Sequence, residues 1–167
     1  IKSLRGRITK LRKARTALAE EIELKFPEYA NLVNPKPATV ASVQSSMRPG
    51  DAMIATYVSD DRTYVWAIPK SGTVRFTSAP LGTEKIIDVV GELREALDPQ
   101  ATTLGKIPAF NVALSHQLYK SLLAPVRDGW KDAKNLLVVG HRGLAQLPFS
   151  VLVTKPHKLA KESGALF

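Results

Sequence analysis

The stretch that most constrains this chain is Asn135-Leu136-Leu137-Val138-Val139-Gly140-His141-Arg142-Gly143-Leu144-Ala145-Gln146-Leu147-Pro148-Phe149-Ser150-Val151-Leu152-Val153. Its apolar run at 136–139 ends in a β-branched pair and is stopped by a glycine-bounded turn, the pattern of a strand buried on both faces. Beyond the turn, Leu144, Leu147, Phe149 and Leu152 surround Pro148, which has no amide hydrogen to donate. That segment is therefore neither a helix interior nor a central strand. The strand itself predicts the centre of a mixed α/β sheet.

Upstream, the period of the apolar residues changes with position. Leu4, Ile8, Leu11, Leu18 and Ile22 recur at spacings of three and four, with Arg15 interrupting the seam, and predict one helix over residues 1–26. So narrow a stripe needs a partner helix. Pro27 disfavours helical backbone at Phe26 and ends the element. Asn34-Pro35-Lys36-Pro37 is a stiff connector, and Thr39 can cap a short helix carrying Val40, Val43 and Met47. From Ala52 the period becomes two: strands over 53–58, 63–68 and 73–77, joined at Ser59-Asp60-Asp61-Arg62 and Pro69-Lys70-Ser71-Gly72, predict an antiparallel meander. Two helices follow, the first capped by Thr83 and carrying Ile86, Ile87, Val90, Leu93 and Leu97 as far as Asp98-Pro99. The second carries Val112, Leu114, Leu118, Tyr119, Leu122 and Leu123, then kinks or ends at Pro125. The chain turns polar and loop-like after Thr154.

Charge is concentrated rather than spread. The net charge is +9, but seven of the 24 Lys and Arg lie in residues 1–15 with no acid among them, leaving 17 to set against 15 Asp and Glu. The remainder is close to neutral, so a basic groove across the fold is not supported and a local basic arm remains. This arm reads as the last helix of an upstream helical array or a linker helix packing on the domain, or else as an element touching nucleic acid or another anionic surface. Glu20, Glu21 and Glu23 in the same helix argue against a transit peptide. No apolar run approaches the roughly 18 to 20 residues of a membrane-spanning helix, and the expectation is a cytoplasmic protein without a membrane partner.

The apolar strand, the short turn and Leu144-x-x-Leu147-Pro148-Phe149-x-x-Leu152 resemble the signature of the CHAT domain, a caspase-like peptidase domain commonly found behind tetratricopeptide repeats. Phe26-Pro27-Glu28-Tyr29-Ala30-Asn31-Leu32 also looks like the segment that often precedes such a domain. The turn departs from the family, which usually has a Pro-Asp-Gly-like sequence where this chain has Gly140-His141-Arg142-Gly143. The resemblance runs from about Phe26 to Leu152 and covers the first half of the family domain. It implies an α/β fold, the N-terminal part of a caspase-like three-layer sandwich with an antiparallel β-meander and a leading amphipathic helix. Residues 1–34 would be the basic helix and linker, and residues 35–167 the N-terminal half of the domain.

The residues themselves offer little chemistry. There is no Cys, so neither a disulfide nor a thiol nucleophile can come from this chain. His141 and Ser150 flank Leu-Pro-Phe, but Gly143-Leu144-Ala145 is not a nucleophile elbow. The glycines around His141-Arg142 read as positions of positive φ, and their spacing fits no nucleotide-binding fingerprint. Asp60-Asp61 reads as a hydrated turn and His116 as an exposed or hydrogen-bonded structural histidine. No catalytic, cofactor-binding or metal-ligating residue is assigned here. The resemblance implies that a catalytic His, in a His-Gly context, and a catalytic Cys lie on later strands. Its partners would be that catalytic half, upstream helical repeats, a peptide or protein substrate, and nucleic acid at the basic helix. No cofactor is implied, and this chain alone should be inactive. The alternative is a non-catalytic peptidase-like scaffold or interaction module regulating partner proteins or nucleic acid.

Overall fold

The structure is a computed structural model that describes residues 2–26, 29, 37–99 and 107–156. The chain divides into two compact units, residues 1–39 and 40–167. The first contains helix α1 (Lys2–Lys25), which matches the expected helix within a residue at its C-terminal end. The expected stops and connectors at Pro27, at 34–36 and at 100–106 lie outside the described residues, as does the tail from His157 onward.

The second unit begins with the short helix α2 (Val40–Ser46) and the strands β1 (Asp51–Val58), β2 (Thr63–Pro69) and β3 (Arg75–Ala79). Helices α3 (Thr83–Glu95) and α4 (Val112–Leu122) follow, then a 3-10 turn at Ala124–Gly129 and strand β4 (Asn135–Val139). Two further 3-10 turns, Arg142–Gln146 and Phe149–Val151, carry the Leu-Pro-Phe segment. The sheet order is β3-β2-β1-β4. β1 and β2 pair antiparallel, as do β2 and β3, which gives the expected meander. β4 lies parallel to β1, with Asp51 opposite Asn135 and Ala55 opposite Val139. The fold is thus mixed α/β with a four-stranded mixed sheet.

Alternation decides which side of the sheet is filled. Ala52, Ile54 and Val58 of β1 and Val65 and Ala67 of β2 face the helices and are almost wholly buried. Ile86, Val90 and Leu93 of α3 and Leu118, Tyr119 and Leu122 of α4 close over them, joined by Val126, Leu144, Leu147 and Leu152. The apolar positions around Pro148 are therefore core contributors held in irregular backbone. Two α4 residues pin that backbone. Ser115 Oγ donates to Val151 O (2.8 Å) and accepts from Val153 N–H (2.9 Å), and His116 Nδ1 lies 2.8 Å from Val153 O. His116 is thus a hydrogen-bonded structural histidine.

Three sequence expectations need correction. β3 begins two residues later than 73–77, because Trp66 takes Phe76 as its cross-strand partner and the small Ala79 lies opposite Thr63. The cap of α3 is Gly82, without a side-chain bond; Thr83 sits inside the first turn and directs its Oγ1 to Ser59 O (3.0 Å). A Cβ on Gly82 would lie 2.0 Å from Asp60 O, so close approach of the β1–β2 turn fixes that residue as glycine. Finally, β4 is neither central nor buried on both faces. It is the outer strand among the described residues, and all five of its positions are exposed. An apolar run records that a strand needs cover but not whether this stretch of chain supplies it.

Candidate functional site

The carboxyl ends of parallel strands are where open α/β sheets usually bind ligands. In this chain that place is the end of the β1/β4 pair. β1 delivers Thr56, Tyr57 and the turn 59–62 there; β4 delivers residues 140–143; and α3 begins beside them with Thr83.

A relay of hydrogen bonds builds the junction. Thr56, buried in the sheet, donates its Oγ1 proton to Val139 O (3.2 Å) and accepts from the His141 backbone N–H (3.0 Å). The His141 ring turns back, and its Nδ1 accepts from the Val58 N–H at 3.0 Å. An imidazole nitrogen thereby takes the place of a strand carbonyl and continues the β1–β4 ladder beyond the last backbone pair. The bond requires a lone pair on Nδ1, which places the proton of the neutral ring on Nε2. The ring also stacks on Tyr57, with centroids 4.8 Å apart and planes 13° apart.

Arg142 follows with φ of 52°, the one non-glycine residue in the left-handed region among those described. Its guanidinium bonds Asp60 Oδ1 (3.3 Å) and the Thr83 hydroxyl. Ser59 Oγ donates to Asp61 Oδ1 (2.9 Å). Asp60 and Asp61 thus serve an exposed ion pair and a turn. The expectation for the glycines is overturned: neither Gly140 nor Gly143 has positive φ, and Arg142 between them takes that conformation. Gly140 is glycine because a Cβ there would lie 2.7 Å from the Ala145 Cα of the following 3-10 turn.

These hydrogen bonds tie β1, β4 and the start of α3 together. No hydrogen bond joins His141 to Ser150, and Ser150 is exposed. A cleft of about 630 Å³ beside this junction is lined by Thr83, Ile87, Arg94, Arg142, Gly143 and Gln146. Its two cations are occupied, Arg142 as above and Arg94 by Gln146 Oε1 at 2.9 Å. A second cleft of about 320 Å³ at the opposite end of the sheet mixes Asp51, Asp128 and Asp132 with Lys70 and Arg75. No group of three or more His, Cys, Asp or Glu suited to a metal occurs among the described residues. In the same residues no helix is long and apolar enough to cross a membrane.

What the sheet leaves uncovered is more informative. Leu136, Leu137, Val138 and Val139 are between 37% and 51% exposed, although their side chains alternate between the two faces. The outer edge of β4 has no neighbouring strand among the described residues. On the face away from α3 and α4, Tyr64 stacks on Phe76 at 6.3 Å, and Trp66 lies 5.3 Å from Phe76. The sequence did not single out this aromatic cluster; its signal was the alternation of Tyr57, Tyr64, Trp66 and Phe76 with small or buried residues. No family model, curated protein or solved structure matches the chain.

Proposed function

We propose that this chain is the N-terminal half of a CHAT-type, caspase-like cysteine endopeptidase domain, supporting a catalytic His/Cys half carried by further polypeptide. The observation that carries the proposal is the edge of β4, which is bare among the described residues. A strand paired parallel on one side, apolar on both faces and open on the other side is half of a parallel ladder. Burying a Leu or Val of this kind is worth about 1 kcal/mol or more per side chain, so four of them favour docking of additional strands. The uncovered aromatic face supports the same reading, since a three-layer sandwich places helices on both faces of its sheet. The Leu-Pro-Phe segment agrees with it through the burial of Leu144, Leu147 and Leu152.

In this proposal the present residues perform no bond-breaking step. They hold β1 and β4 in register through Thr56 and His141 and offer the β4 edge as a template. The reacting groups are a Cys thiolate that attacks a peptide carbonyl and a His that accepts the thiol proton and returns it to the leaving amine.

The test is made on the natural polypeptide that includes the residues following Phe167. A strand ending at His-Gly and a later strand ending in Cys are expected there, with hydrolysis of a fluorogenic peptide library abolished by replacing that Cys with Ala. Absence of those two strand ends sinks the peptidase reading and leaves the non-catalytic scaffold. Intact mass spectrometry of the material purified from its source checks the assembly. A single soluble, monomeric species of this chain's mass would refute a bound second half.

A further inference from the structure

Helix α1 runs without a break for 24 residues, and its seam is open from Leu4 to Leu18, with Ile22 half-buried. Leu4, Leu11 and Leu18 are 61%, 68% and 58% exposed. Spacings of four and three alternate from Leu4 to Ile22, which is the seven-residue repeat of a coiled coil. In that repeat Ile8, Arg15 and Ile22 occupy a, and Leu4, Leu11 and Leu18 occupy d. β-Branched residues at a with leucine at d favour two strands. Gly6 costs about 1 kcal/mol of helix propensity, and helices in proteins owe most of their stability to packing of an apolar face. α1 therefore needs an occupant along its seam.

The charges identify which one. Arg5 and Arg12 fall at e, Arg7 at g and Arg15 within the seam, whereas Lys10 and Lys13 fall at c and f on the outer side. Every arginine of the helix borders or enters the apolar stripe. Guanidinium groups fork onto carboxylates, and e and g positions select the partner. A parallel second copy would set Arg7 against Arg12 of that copy and one Arg15 against the other. An antiparallel copy would gain Arg7–Glu21 pairs, but it would oppose the two Arg12 side chains and bury Arg15 against leucine.

We propose that α1 is one strand of a two-stranded coiled coil whose other strand is an acidic helix. That helix carries apolar residues at a and d, Glu or Asp at the flanking positions that face Arg5, Arg7 and Arg12, and one carboxylate within reach of Arg15. The proposal goes beyond the peptidase reading and does not depend on it, since α1 belongs to a separate compact unit.

The full chain is titrated with two synthetic helices that are identical at a and d, with one Glu placed opposite Arg15. One carries Glu at every e and g position, the other Lys. The Glu-flanked helix is expected to bind with one-to-one stoichiometry, to raise the far-ultraviolet helical signal, and to bind about tenfold or more tightly than the Lys-flanked helix. Combining Arg5→Glu, Arg7→Glu and Arg12→Glu should invert that preference. Combining Lys10→Glu and Lys13→Glu, which changes charge on the outer side, should leave it in place. Equal affinity for the two helices, or binding of neither, overturns the proposal. So does a chain dimer that the Glu-flanked helix fails to dissociate, or an oligouridylate that displaces the Glu-flanked helix at lower concentration in physiological salt.

Discussion

The two strands that flank β1 have opposite fates. β2 lies between β1 and β3, and Val65 and Ala67 are wholly shielded beneath the helices. β4 carries an unbroken apolar run, Leu136 to Val139, yet each of its residues is exposed. Hydrophobicity is therefore a poor guide to which strand anchors this unit. What differs is the number of neighbours found among the described residues: two strands and a helical layer for β2, one strand and partial cover for β4.

That contrast breaks most sharply if one leucine is replaced on each side. Leu122 of α4 is fully buried in the core, and Leu122→Ala is expected to destabilise the chain by about 2–5 kcal/mol. Leu137→Ser in β4 should change stability by no more than about 0.5 kcal/mol, as an exposed surface substitution does. Urea unfolding of both variants measures the difference. A Leu137→Ser cost as large as that of Leu122→Ala would mean that β4 is already covered in the isolated chain. In a longer polypeptide with its sheet completed, the Leu137→Ser cost should rise toward the core value.

The joint between β1 and β4 gives a smaller effect. Thr56→Val keeps the shape of the side chain but deprives the His141 N–H of its acceptor and Val139 O of a donor. A loss of about 1–3 kcal/mol is expected. His141→Phe retains a ring to stack on Tyr57 and leaves the Val58 N–H unsatisfied, for a loss in the same range. Loss of amide exchange protection at Val58 in His141→Phe, with the protection of β2 intact, would locate the effect. An unchanged exchange rate at Val58 would show that the imidazole does not continue the ladder.

Much of the architecture was legible in the residue pattern, for a physical reason. β1 and β2 alternate because one face meets helices and the other does not, and α3 and α4 show their stripes because each packs by one side. Several of the unreadable parts depend on distant partners. His141 meets Val58 across 83 positions, and Ser115 meets Val153 across 38. Nothing local to either residue announces the contact. Thr83 looked like a cap because threonine caps helices, but its hydroxyl donates to the Ser59 carbonyl and accepts from the Arg142 guanidinium. The glycines at 140 and 143 looked like turn glycines, whereas packing against the next 3-10 turn fixes the first of them. The candidate site, a strand edge with no neighbour among the described residues, was not legible, because it required the sheet order.

The gentlest way to sharpen the contrast acts at the other end of the β1/β4 pair. Asp51 accepts from the Arg48 N–H at 2.9 Å and from the Asn135 side-chain amide at 3.0 Å, so it ties the start of β4 to the start of β1. The Arg48 hydrogen bond first, and then the Asn135 bond, hold its carboxyl below the ordinary carboxylate value. A carboxyl depressed in the folded state binds protons more readily when unfolded. Its contribution is thus fully present above the unfolded value and is lost as the pH falls through that value and then through the lower folded one. The group is solvent-exposed, so screening keeps the effect small. Asp51→Asn should be slightly less stable than the parent at neutral pH and should lose less stability on acidification, so the two unfolding curves converge at low pH. Asn135→Leu with Asp51 retained should remove part of the pH dependence that the parent shows. Parallel stability curves for parent and Asp51→Asn across the acid range would rule out this tie, and β4 would then be held to β1 by backbone pairing and the Thr56–His141 joint alone.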